Sequence, residues 1–488
     1  MRKIFGYKDI EQVERVETPL SSDMQNALTQ WHMMYLDKAD WLGGENQVKS
    51  LNLPALIASE IARQMVLEMK WSITGKEAGE DGEPASNPRA EYLSAEFGAA
   101  IRVLREKVEQ GAAAGGVVVK PYPRNGHIYC DWAMDWDIYP LAFDDDGNMS
   151  DVIFPDRFVD GKTYYTRLER HQLGRTKNDN GAEEEIVTIT QRAFKSENEN
   201  TIGVEVPLES VPQWAELEQT VTIKAADGNL YGWYKVANAN NVDVNSPMGA
   251  SVYAKAKDTI EQADIQYSRL LWEYEGSELA VDVDITCLRP GTDGLPTIPR
   301  LNNRLFRGVD ISNGQAGDFY NIFSPAIRDV SLNNGLNILK MQIEDQCGLA
   351  RGTLSDANVD ARTATELKIV KQRSYATIHD NQAALERCLR DVIRAMDKYA
   401  SLYKLAPEGE YDVSFEWDDS ILTDTEQENE EIRRDVDAGL LSKVEARMKK
   451  YKETRAQAEA AIAAINAEKK DEENAMLPDF TTITEPVA

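Results

Sequence analysis

Two hydrophobic periods alternate along the chain. Met24, Ala27, Trp31, Met34 and Tyr35 recur at helical spacing, and Ser22 with Gln25 three residues on has the form of a capping box. Pro54 suits a first helical turn, and Ile57, Ala58, Ile61, Met65 and Met69 carry a second predicted helix to about Trp71. The polar stretch 76–88 reads as a loop. A third helix is expected from Pro88, with Tyr92, Phe97, Ile101, Leu104 and Val108 on its buried face and Gly111 as its stop.

From there the period changes to two. Val117 to Tyr122, His127 to Trp132, Asp137 to Phe143, Val152 to Phe158, Tyr164 to Leu168, Ile186 to Phe194 and Val221 to Ala225 read as strands. Asn125-Gly126, Asp146-Gly147 and Asp227-Gly228 supply turns. Residues 112–240 are therefore expected to form a mostly antiparallel β region.

After Ser246-Pro247 helical spacing returns. Val252, Ala256, Ile260, Ala263, Tyr267, Leu270 and Tyr274 mark one face of a single long helix. At ~1.5 Å per residue its span would be about 43 Å. Val281, Val283 and Ile285 alternate with aspartates as a half-buried strand, and 289–317, rich in Pro and Gly, reads as a compact irregular segment. Ser324-Pro325 opens another helix ending at Gly348, and 348–363 is a polar loop short of apolar anchors. A very long helix follows from Ala364 to Tyr403, then an alternating strand from Tyr411 to Trp417. Helices are expected over Glu426 to Asp437, after a capping box at Ser442 and Glu445, and around Ala456 to Ala467; beyond Lys469 the composition reads as a disordered tail. The fold class is α+β, mainly α.

Composition narrows the functions open to such a chain. With 488 residues and 42% apolar, it exceeds what one core usually holds, so several packing units are expected. Acids outnumber bases 83 to 54, and the net charge of -29 argues against a conventional nucleic-acid-binding surface, which needs clustered Lys and Arg. It leaves room for a protein that DNA passes through without being gripped. The first dozen residues carry no apolar h-region, so no signal peptide is expected, and no stretch approaches the ~20 apolar residues of a membrane span. Cys130, Cys287, Cys347 and Cys388 lie far apart and read as reduced, buried thiols.

Candidate chemistry is sparse. Gly161-Lys162-Thr163 looks like the end of a P-loop, but Asp156 stands where its first glycine belongs, so a hairpin turn is the better account. Asp144-Asp145-Asp146-Gly147 could suggest a calcium loop, yet Pro155 occupies the position of the closing Glu; a solvated turn is expected instead. Asp131, Asp135 and Asp137, between Trp132 and Trp136, could imitate the carboxylates and aromatic platform of a glycosidase, but they equally suit the rim of a strand. No cofactor or metal is expected, and the chain does not read as an enzyme.

Three pieces, in this order, carry a resemblance: Arg362-Thr-Ala-Thr-Glu366 opening the long helix, Trp417-Asp-Asp-Ser-Ile421 with Asp424, and Val436-Asp-Ala-Gly-Leu-Leu-Ser442 before the terminal helices. Together with the series of elements after residue 246, the chain resembles the portal proteins of tailed phages, in particular siphophage portals of Gram-positive hosts. The resemblance implies a homo-oligomeric ring of about twelve copies at one capsid vertex of the virion, assembled in the host cytoplasm. It implies a wing over 1–245, stem helices over 246–277 and 325–347 and a clip over 278–324. It further implies a tunnel loop over 348–362, a long helix and wing strand over 363–424, a crown over 425–470 and a tail over 471–488. The clip interface would use Val281, Val283, Ile285, Leu305 and Phe306. Ser355, Asp356, Asn358, Val359, Asp360 and Arg362 would face double-stranded DNA. The implied partners are terminase, a head-to-tail adaptor, and the major capsid and scaffold proteins. Another phage head protein, a minor capsid or adaptor protein, is the nearest alternative; a carbohydrate-active enzyme using the tryptophan-flanked aspartates is the other.

Overall fold

The computed structural model describes residues 5–43, 48–76, 87–177, 181, 183–224, 227–278, 280–284, 289–290, 296–297, 306–309, 320–356, 364–417, 425–451, 455 and 458–466. The chain divides into two compact units, Met1–Trp417 and Asp418–Ala488.

The first unit opens with α1 (Tyr7–Glu14), α2 (Ser22–Tyr35) and α3 (Leu53–Val66). The cap of α2 lies one residue earlier than the spacing predicts: the Ser21 hydroxyl accepts from the Met24 amide at 3.2 Å. α3 also stops short of the predicted Trp71. Met69 and Trp71 belong to a strand, β1 (Met69–Gly75), whose partner lies more than 300 residues away, so local periodicity could not reveal it. The third predicted helix is two, α4 (Pro88–Ala100) and α5 (Leu104–Ala114), separated by a 3-10 turn at Ile101–Val103.

The β region follows as expected. β2 (Gly116–Arg124) and β3 (His127–Met134) form a hairpin closed by Asn125 and Gly126, both at positive φ. β4 (Tyr139–Phe143), β5 (Met149–Asp160), β6 (Thr163–Lys177), β7 (Glu183–Ser196) and β8 (Val204–Val206) pair in sequence order. β9 (Thr220–Lys224) joins the same outer edge of β7, and β10 (Gly232–Lys235) pairs β2 instead.

Past residue 246 the predicted single helix is shorter than its pattern suggests. α6 runs only over Lys257–Gly276, after a 3-10 turn at Ala254–Ala256. Val252 and Tyr253 owe their burial to packing of an irregular segment: the Val252 amide donates to Ala112 at 3.0 Å and the Tyr253 hydroxyl to the Trp31 carbonyl at 2.8 Å. Gly249 lies so close to the Gly115 carbonyl that a Cβ there would collide with it. Next come β11 (Ala280–Asp284), β12 (Arg289–Pro290), β13 (Pro296–Thr297), β14 (Phe306–Val309) and β15 (Tyr320–Phe323), so the segment expected to be irregular holds short strands. α7 (Asp329–Cys347) starts later than Pro325. α8 (Ala364–Leu402) and β16 (Tyr411–Trp417), the partner of β1, match the expected ranges.

The main core lies between α2, α3, α5, the second half of α8 and the β2–β10 pair. Ile57, Ile61 and Met65 of α3 meet this core together with Leu385, Leu389, Val392 and Met396 of α8, all at 1% exposure or less. A Cβ at Gly232 would strike the Cys388 carbonyl, so β10 lies directly on α8. Arg89, 2% exposed, ties the start of α4 to the end of α8 through Asp397 at 2.7 Å and the Ala406 carbonyl at 3.1 Å.

The second unit holds α9 (Thr425–Asp437), α10 (Lys443–Tyr451) and helical residues 458–466. The capping box is present as predicted: the Glu445 amide donates to Ser442 Oγ at 3.1 Å and the Ser442 amide to Glu445 Oε2 at 2.9 Å. Gly439, at φ +71, ends α9.

Candidate functional site

The part of the chain best organised for a function is the α6–α7 hairpin, with a small sheet at one end and a folded-back loop at the other. The helices run antiparallel. Ile260, Ala263 and Leu270 of α6 and Leu336 and Ile343 of α7 are buried, and Gly335 lets the Gln266 side chain approach and donate to the Leu332 carbonyl at 3.3 Å. Towards the small sheet, Arg328 grips Glu273 with two side-chain bonds, of 2.7 and 3.1 Å, and a backbone bond of 3.2 Å. The same three donors hold the Glu273 carboxyl below its usual range.

A buried carboxylate helps join α6 to the body of the unit, beside the 2.7 Å bond from the Lys49 amide to Ser268 Oγ. Asp264, 2% exposed, accepts from Trp41 Nε1 at 3.0 Å and the Leu51 amide at 2.8 Å. Burial pushes its pKa up, and these two donors oppose the shift. Asp264→Ala leaves both donors unmet. At ~1.5–3 kcal/mol for a bond to a charged group, a lowered urea midpoint is expected, and an unchanged midpoint would remove this carboxylate from the account.

At the sheet end β11 pairs β14 in parallel and β15 antiparallel. Val281 stands opposite Phe306 and Ile322, and Val283 opposite Gly308 and Tyr320; both valines are half-buried. The register thus brings together Val281, Val283 and Phe306 of the five residues expected at an interface. Ile285 and Leu305 lie outside the described residues.

At the other end the structure corrects the loop. Gly348, at φ +72, caps α7 against Thr377 of α8. Residues 349–356 then fold back onto α7 instead of hanging free. The carboxylate of Glu344, fully buried, accepts from the amides of Leu354 (2.5 Å), Ser355 (2.8 Å) and Gly352 (3.3 Å) and from the Ser355 hydroxyl (2.8 Å). Arg351 pairs with Asp345 at 2.8 Å, and the Asp356 amide donates to Asn337 Oδ1, also at 2.8 Å. Leu349 is in the core and Leu354 packs against it. Ser355, expected in a loop that faces DNA, is buried within the subunit at 8% exposure because Glu344 draws it inward, whereas Asp356 is exposed. Asn358, Val359, Asp360 and Arg362 lie outside the described residues. Sequence reading missed Glu344; its only signal was its place beside Ile343 and Cys347, on the buried side of α7.

The chemical alternatives take ordinary places. Gly161-Lys162 is the β5–β6 turn. Asp144 accepts from the amides of Asp146 and Asn148 in the β4–β5 turn. Asp135 is fully buried, accepts from Trp233 Nε1 at 3.0 Å, and has its pKa pushed up to about 7 by burial. It points into the packing of β2 and β10, whereas Asp131 keeps a partly exposed side chain. No helix among the described residues is long and apolar enough to cross a membrane.

A family model described as "Phage portal protein, SPP1 Gp6-like" matches residues 50–475. The chain belongs to this family of phage portal proteins. The match runs from the start of α3 past α10, and so takes in the whole helix hairpin, its sheet and its loop. Its mixed α/β architecture, with long helices and antiparallel sheets, accords with the portal family, and portal function means serving the passage of DNA. No curated protein matches the chain.

Proposed function

We propose that this portal protein assembles into a ring of about twelve copies at one capsid vertex, the channel for DNA packaging and ejection. The portal-family match across the hairpin carries this reading. In it, α6 and α7 are the stem, the β11–β14–β15 sheet belongs to a clip where terminase and then a head-to-tail adaptor dock, and residues 1–245 form the wing. The second unit is the crown, and the loop after α7 meets the DNA. Capsid and scaffold proteins are the remaining partners, and the virion is the location. A siphophage of a Gram-positive host is the source this reading favours.

The charge supports the reading. Copies carrying -29 each make an anionic body that weakly repels phosphates, with the repulsion screened beyond ~8–10 Å in salt. DNA of any sequence could then pass without the counterion-release affinity that would stall it. The mass of the purified particle and its electron micrographs test the assignment: rings with a central hole are expected, and a monodisperse monomer at low and high salt would sink it.

The loop's exposed acid offers a direct test of where DNA passes. Asp356→Lys combined with Asp360→Lys should slow translocation, more so at low salt, because added cations hold phosphates. Unchanged packaging in rings of normal mass would mean that the loop does not meet DNA.

A further inference from the structure

One stretch of the second unit reverses the charge of the chain. Between Ile432 and Tyr451 six Lys and Arg stand against three acids, in a protein of net charge -29. Folding gathers that excess at one place. A groove of about 300 Å3 between α9, α10 and residues 458–466 is lined by Arg433, Lys443, Arg447 and Lys450 together with apolar residues such as Ile432, Val436 and Ile462, and Asp437 is the one acid among its described lining residues.

Lys443, Arg447 and Lys450 are spaced by four and three residues, so they share a face of α10. They spread over roughly 10 Å at ~1.5 Å per residue, about three steps of a DNA strand at ~3.4 Å each. The Tyr451 ring lies 4.9 Å from the Arg447 guanidinium and 5.3 Å from the Lys450 ammonium. The neighbouring Arg434 and Arg455 are paired with Glu430 and Glu459, but among the described side chains no carboxylate lies within ion-pair distance of Lys443 or Lys450.

We propose that this groove binds the phosphate backbone of double-stranded DNA, giving an anionic portal protein a defined place of contact with its cargo; the proposal rests on the reading that DNA passes through the assembled ring. A regular row of cations matches a rigid polyanion of regular charge spacing, and it reads no base sequence. The contact is also salt-sensitive. Four phosphate contacts per copy make affinity fall about 100-fold between 50 and 200 mM salt.

The test uses the full chain in its assembled state and a fluorescein-labelled 30-base-pair duplex, with anisotropy read at 50 and 200 mM salt. Lys443→Glu with Arg447→Glu should weaken binding at least tenfold at 50 mM and reduce the log–log salt slope by about two. The milder pair Lys443→Gln with Arg447→Gln should lower affinity in the same direction, and covers the case in which charge reversal disturbs α10. Absence of binding by the parent protein at 50 mM, or equal affinity in both variants, overturns the proposal. So does binding of poly-glutamate where the duplex does not bind, because the partner would then be an acidic protein segment. Failure here is distinguishable from failure of the portal reading: the groove variants would bind DNA normally in intact rings, whereas a wrong portal reading would show no rings at all.

Discussion

Rings built from Glu344→Ala should assemble and yet package DNA poorly. The carboxylate is fully buried and meets three amides and a hydroxyl of residues 352–355, so its loss leaves the Leu354 and Ser355 amides and the Ser355 hydroxyl without that acceptor, while the Gly352 amide keeps its bond to Ser355 Oγ. A bond to a charged acceptor is worth ~1.5–3 kcal/mol, and 1.4 kcal/mol is about tenfold in an equilibrium. Hydrogen exchange at the Leu354 and Ser355 amides should therefore accelerate by tenfold or more. The body of the unit should exchange as before, because α7 is held there by Leu336 and Ile343 and through Gly348 against Thr377. If the folded-back segment sets the direction in which the chain leaves at Asp356, packaging or retention of DNA should fall by about the same factor. Glu344→Gln keeps one acceptor oxygen and should lie between. Unchanged exchange would show that the bonds carry nothing; fast exchange with normal packaging would show that the loop's position is irrelevant to DNA.

Trp272→Glu combined with Ile338→Glu should abolish ring formation while leaving each copy folded. Trp272 is 67% exposed on α6 and Ile338 52% exposed on α7, and Val330 reaches 68%. Large apolar groups left open on both helices of a hairpin suit burial against neighbouring copies. Each such side chain contributes ~1.5–3 kcal/mol when fully covered, and a closed ring repeats the loss at every interface. The substitutions touch little within the subunit, so far-ultraviolet circular dichroism should hardly change while sedimentation reports a monomer. Rings of unchanged mass from this variant would mean that these faces are not the contact.

Much of the helical and strand content was legible because it depends on neighbours in sequence. The α8 and β16 ranges, the Ser442–Glu445 box, the Asn125-Gly126 hairpin and the stop at Gly348 each rest on residues within a turn or two of one another. The ordered motifs after residue 246 likewise sufficed to suggest the portal family.

What the sequence could not decide is whatever rests on a distant partner. Met69 and Trp71 fit a helical stripe until residues 411–417 offer a ladder of backbone bonds, and the ladder prevails. Val252 has helical spacing but is buried by an irregular segment that brings Gly249 against Gly115. The loop after Gly348 looks unanchored because its anchor is a charge on the preceding helix, and a lone Glu in a helix normally reads as solvated surface. Composition set the anionic character of the whole chain, and the order of its elements set the family. Only the tertiary structure turned Glu344 and Ser355 inward, left Trp272 and Ile338 outside, and collected four cations at one groove, because side-chain burial is a property of packed elements and not of any one of them.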